Sequence, residues 1–135
     1  MARQDRIHRA NRRDGDARLQ QAEAFLEQAV LSAELIEGQG QSNAAVSSAV
    51  LAGIAAADAA TAYAFEEVSG GAHDQAARLL GRVAGSAKAV NDLSRLLTLK
   101  TAAQYSSQTL RPREVDDAIL RARRLVGFAK ALRFS

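Results

Sequence analysis

Between Ser42 and Val68 the chain runs through an alanine-rich stretch that is apolar over most of the circumference of a helix. This stretch limits the possible folds more than any other feature, because a helix with no wet side has to be enclosed by other elements. Its row Val46, Val50, Gly53, Ala57, Ala60 and Ala64 is small-sided and lets a neighbouring helix come close. The part from Val46 to Phe65 has the length of a membrane span. Asp58 lies in its interior, however, and a carboxylate at the centre of a bilayer costs about 2.5–3.5 kcal/mol. We therefore expect the core helix of a protein that does not enter a membrane.

The remaining periodic segments also have a helical repeat. From Ala17 to Glu37, Leu19, Ala22, Leu26, Ala29, Ala33 and Ile36 make one stripe, broadened by Phe25 and Val30. A shorter segment, His73 to Ala84, turns Ala76, Leu79, Leu80 and Val83 inward, after the helix-ending pair Gly70-Gly71 and before a break at Gly85-Ser86. Ala87 to Tyr105 and Pro112 to Leu132 follow. Pro112 suits a first helical turn, and Glu114, Asp116 and Asp117 complement its positive end. With no cysteine, one proline and few aromatics, the core has to be built from Ala, Leu, Val and Ile. No strand pattern is expected. The fold class is all-α: an antiparallel up-and-down bundle of four main helices plus one short helix, within the size of one domain.

Charge is concentrated at the ends. Residues 1–18 hold six arginines and three aspartates, the middle of the chain is acidic, and residues 111–135 hold seven basic and three acidic groups. We read residues 1–16 as a basic arm, bounded by Asp14-Gly15-Asp16, and residues 17–135 as the helical domain. The arginines have no aromatics between them, so they are read as a solvated arm and not as a nucleic-acid stripe. The N-terminus lacks the apolar segment of a secretory signal, and the absence of cysteine fits a reducing compartment, so a cytoplasmic protein is expected. No cofactor, metal cluster, phosphate loop or nucleophile paired with a base is expected from the residues.

Two charges break the apolar pattern. At about 100° per residue, Asp58 falls among Leu51, Ile54 and Phe65, and Lys100 among Leu93, Leu96, Leu97 and Ala103. Both should point inward or into a groove. An unpaired buried charge is expensive, so Asp58 is expected to pair with Lys100 or to bond Tyr105, or else the groups line a polar pocket. On the last helix, Phe128 projects with Asp117, Arg121 and Arg124 on the polar side, and this patch suits a partner interface.

The junction Leu97-Thr-Leu-Lys100-Thr-Ala-Ala-Gln-Tyr105 resembles the junction before the last helix of HEPN-like helical-bundle proteins. Ile54-Ala-Ala-Ala-Asp58, Gly71-Ala-His73-Asp-Gln-Ala-Ala-Arg-Leu-Leu80 and Asp92-Leu-Ser-Arg-Leu-Leu-Thr-Leu-Lys100 look like successive helices of one bacterial branch, so that the resemblance covers roughly residues 19–132. In the ribonuclease members this junction carries the Arg-x4–6-His pair; here Lys100 and Tyr105 stand in its place. Tyrosine, with an ordinary pKa near 10, is a poor proton carrier at neutral pH. The resemblance therefore implies a non-catalytic module for interaction or for nucleotide or nucleic-acid sensing, acting as a homodimer or with a cognate protein partner. The alternative is a divergent RNase-like toxin of a toxin–antitoxin system, using Lys100, Tyr105, Asp58 and His73. His73 lies where the similar branch also has a histidine. Arg3 and His8 reproduce the Arg-x4-His spacing, but in the arm, and are read as a chance match.

Overall fold

The alanine-rich stretch forms the middle of the molecule. In the structure, a computed structural model, residues 7–35, 39–71, 73–105 and 110–135 are described, apart from the side chains of residues 39–41 and Tyr105. The element order is β1 (His8–Arg9), α1 (Arg12–Glu34), α2 (Gln39–Phe65), β2 (Glu67–Val68), α3 (His73–Leu80), α4 (Ala87–Tyr105) and α5 (Pro112–Arg133). The protein is thus mostly helical, with a two-stranded sheet of two residues per strand.

Helix α2 packs against α1, α3, α4, α5 and β2. Its Ala45, Val46, Ala49, Val50, Ala52, Ala56, Ala59 and Ala60 are essentially inaccessible. Side chains this small bury little area each, so stability comes from close approach of the helix backbones. Gly53 shows how close. A Cβ built on it would lie 2.5 Å from Leu96 Cδ1 of α4 and 3.2 Å from Leu125 Cδ1 of α5. Of the small-sided row, Ala64 alone is exposed. The segment of transmembrane length, Ser42–Phe65, is mostly buried within the fold, as a core helix is.

Helix α1 begins five residues before the expected Ala17. Asn11 caps it by accepting from the Asp14 backbone N–H at 2.9 Å, while Asp14 Oδ2 accepts from the Asn11 N–H at 2.8 Å. This reciprocal box satisfies two N–H groups that would otherwise be orphaned. Gly15, read as part of a boundary, lies inside the helix beneath the Tyr63 ring, where a Cβ would approach Cε1 to 2.8 Å. The tail of the arm is therefore the first turn of α1. Along its length α1 runs opposite to α5, since Asp16 pairs with Arg133 at 3.1 Å and Glu23 with Lys130 at 3.4 Å.

Helix α2 stops at Phe65, short of the expected Val68. Glu66 takes φ +57°, and the chain turns back so that β2 pairs antiparallel with β1, His8 opposite Val68 and Arg9 opposite Glu67. The Ala10 N–H donates to the Glu66 carbonyl at 2.9 Å. The expected absence of strands thus fails at these four residues, which are too few to show a period of two. Helix α3 ends at Leu80, before the expected Ala84, and Val83 is buried in the turn that follows. Helices α4 and α5 begin where expected; the Arg111 N–H donates to Glu114 Oε1 at 2.9 Å ahead of Pro112.

Candidate functional site

The short sheet, through His8, Arg9 and Val68, walls a cleft of about 590 Å³. Strand β1 contributes His8 and Arg9, α1 contributes Asp14 and Arg18, α2 contributes Ile54 and Asp58, and α3 contributes His73. The loop Val68-Ser69-Gly70-Gly71 closes one side, with Gly71 at φ +119° and the Gly70 N–H donating to Gln75 Oε1 at 3.3 Å. Both histidines of the chain, far apart in sequence, thus face one cavity.

Asp58 is the most perturbed acid in the cleft. Burial pushes its carboxyl up to about 6, against the pull of the Arg18 guanidinium. No ion pair or side-chain hydrogen bond engages this carboxyl among the described residues. Arg18 is similarly uncommitted: its guanidinium donates to Gln21 at 3.2 Å and forms no ion pair among the described residues. An arginine and a desolvated carboxyl share the cleft without neutralising each other.

His73 is held below the ordinary imidazole range, first by burial and then by the charge of Lys100, with Asp74 opposing. Lys100 Nζ lies 2.9 Å from His73 Nε2. With the ammonium as donor, Nε2 accepts and the neutral ring carries its proton on Nδ1. The expected Asp58–Lys100 pair does not form: α3 takes up Lys100, while Asp58 faces the cleft it shares with α1. Helical projection identifies the buried face of each helix but not the neighbour that covers it. The Tyr105 side chain, and with it the Asp58–Tyr105 alternative, lies outside the described residues, as does Arg3.

The interface expected around Phe128, Arg121 and Arg124 has another use. Arg121 Nη1 and Arg124 Nη2 donate to Asp92 Oδ1 at 3.1 and 3.0 Å, and Arg121 Nε also bonds both oxygens of Asp117 at 3.1 Å. Asp92, on α4, is almost wholly buried. The two arginines clamp α5 to α4, and Phe128 is half-buried against the core instead of standing free on a polar face. Asp92 was missed in the sequence because it stands beside Leu93 and Leu96 with nothing to mark its partners, 29 and 32 residues away on another helix.

Arg18 was also missed, being one of six arginines in eighteen residues. His8 was noticed for its spacing and set aside, because only the β1–β2 pairing brings it to the cleft. Chemically, the site offers a cationic donor fork, two imidazoles and a carboxyl that changes charge near pH 6. Among the described residues no group of three or more His, Cys, Asp or Glu side chains could hold a metal ion. No protein-family model matches the chain, and no curated protein matches it.

Proposed function

We propose that the protein is a non-catalytic, HEPN-like antiparallel helical bundle, cytoplasmic and dimeric, that senses a nucleotide or an RNA end through the cleft between α1, α2 and α3. The observation that carries this reading is the meeting of Arg18, Asp58, His8 and His73 in one cavity, with Arg18 and Asp58 both free of ion pairs among the described residues. The guanidinium suits a phosphate, and the carboxyl suits an amine or ring N–H of a base. The cavity falls within the size range of small-molecule sites. The bundle topology and the HEPN likeness rest on the helix order and on the resemblance of the α2, α3 and α4 segments.

Isothermal titration calorimetry with adenosine monophosphate, adenosine triphosphate and short single-stranded RNA tests the proposal. Binding should weaken at least tenfold in Arg18→Ala, whose exposed side chain leaves thermal stability nearly unchanged. Absence of binding by all three probes, or binding indifferent to Arg18→Ala, overturns it.

A second reading, the RNase-like toxin, draws on one specific observation: a neutral imidazole and a carboxyl titrating near 6 share the cleft with His8. These are the proton carriers that phosphodiester cleavage needs. Purified protein is expected to leave RNA intact. Metal-independent cleavage abolished by both His73→Ala and His8→Ala would establish the enzyme in place of the sensor.

A further inference from the structure

On the side of the molecule formed by α1 and α5, a second groove of about 330 Å³ has an apolar floor of Leu26, Val30 and Val126. Its banks are of opposite sign, Glu23 and Glu27 on α1 and Arg123 and Lys130 on α5; Glu23 and Lys130 already pair across it at 3.4 Å, so Glu27 and Arg123 are the bank charges left without an ion pair among the described residues. Three large side chains remain in water along the same face. Leu31 lines the groove and is 52% exposed, Leu35 at the C-terminal cap of α1 is 64% exposed, and Leu120 precedes Arg123 by one turn on α5 at 49%. They make up half of the six large hydrophobic residues left exposed among the described residues. Gly127, on the same side of α5, has no atom within 4 Å of where a Cβ would be, so the backbone there is open to close approach.

We propose that this α1/α5 face is the docking surface for a second copy of the chain. The inference rests on the two-copy reading above and identifies the face. Charge complementarity commits the groove to this occupant. A two-fold axis lying in the interface and parallel to the groove lays the α1 bank of one copy over the α5 bank of the other, bringing Glu27 toward Arg123, and does so twice, as an isologous contact requires. Leucines 31, 35 and 120 then bury against their counterparts. Helices α1 and α5 have 23 and 22 residues and are thus roughly 33 Å long. At about 10 Å of width each, they present roughly 700 Å² per copy, close to the ~800 Å² per partner of a stable specific interface. Neither Asp92 nor Arg121 nor Arg124 lines the groove, so docking there leaves the two arginines paired within their own chain.

Sedimentation velocity of the full chain at micromolar concentration should show a dimer. Leu31→Glu with Leu120→Glu, both exposed and therefore compatible with folding by circular dichroism, should weaken association at least tenfold. Glu27→Arg in one protein and Arg123→Glu in another, both outside the Glu23–Lys130 pair, should each associate more weakly alone and form a heterodimer when mixed. If the wild type sediments as a monomer, the two-copy reading and the face both fail. If the wild type is a dimer that the leucine variant leaves intact, or the charge-reversed proteins do not pair, only the face is overturned.

Discussion

Asp58→Asn should stabilise the protein above neutral pH and leave it nearly unchanged in acid. An ordinary carboxyl titrates at 3.8, whereas in the folded protein burial raises this one to about 6. Between these values the folded protein keeps a proton that the unfolded chain has released. The stabilising contribution of the protonated group is therefore complete below 3.8 and lost as pH rises through about 6. At ~1.4 kcal/mol per pH unit, the loss is on the order of 3 kcal/mol by pH 8. Asparagine has nearly the same shape and no charge to desolvate, so it should recover about 2–3 kcal/mol there and little at pH 4. Urea unfolding of both proteins at the two pH values gives the quantity directly, because every other titrating group is common to both and cancels in the double difference. If the sensor proposal holds, the same substitution should also weaken nucleotide binding. Equal effects at the two pH values, or a destabilised Asp58→Asn at pH 8, would refute the view that this carboxyl is buried without a partner.

Three further outcomes follow from the packing. Asp92→Ala should cost about 2–4 kcal/mol in chemical unfolding, below the full price of breaking a buried pair, because Arg121 retains Asp117 and Arg124 reaches water; replacing Asp92, Arg121 and Arg124 together by Leu and Met should recover much of the loss. Gly53→Ala should destabilise by about 1–2 kcal/mol, since overpacking against Leu96 and Leu125 outweighs a helix-propensity gain of ~1 kcal/mol. Glu66→Gly should raise stability by about 0.5–1 kcal/mol in thermal unfolding, since it relieves a left-handed backbone and gives up only an exposed 3.9 Å pair with Arg9.

Long-period features were legible in the sequence and short-period ones were not. The all-round apolarity of the Ser42–Val68 stretch marked α2 as the helix that others enclose, and α4 and α5 were bounded by Gly85-Ser86 and Pro112. The start of α1 was misplaced because Asn11 and Asp14 form a capping box within a run that reads as polar arm, and because Gly15 is tolerated in a helix where Tyr63 fills the space of its missing side chain. The β1–β2 pair has too few residues to leave a pattern. Part of the candidate site depends on that pair. Asp58 and His73 were singled out from their own helices, but their joining with His8 and Arg18 depends on Glu66 turning the chain back on the arm.

Asp92 and Asp58 respond differently to the same loss of water, and the difference locates the site. Asp92 is enclosed and receives two guanidinium hydrogen bonds, so its burial is offset within the fold and its role is to hold α4 to α5. Asp58 is half-buried without a bonding partner among the described residues, and Arg18, whose charge acts on it, forms no ion pair with it. Packing gives no return for that arrangement: a serine or an asparagine on α2 would fill the same space with less strain on the folded state. Stability forgone at a group that opens onto a cavity, beside an uncommitted arginine, is the pattern of a site organised for something that is not part of the chain. A bound amine or ring N–H would supply the missing donor to Asp58 and pull its pKa back toward the ordinary carboxylate range. Ligand binding should therefore release protons near pH 6, and the enthalpy measured in buffers of different ionisation heat should reveal the release; buffer-independent binding would place the ligand elsewhere.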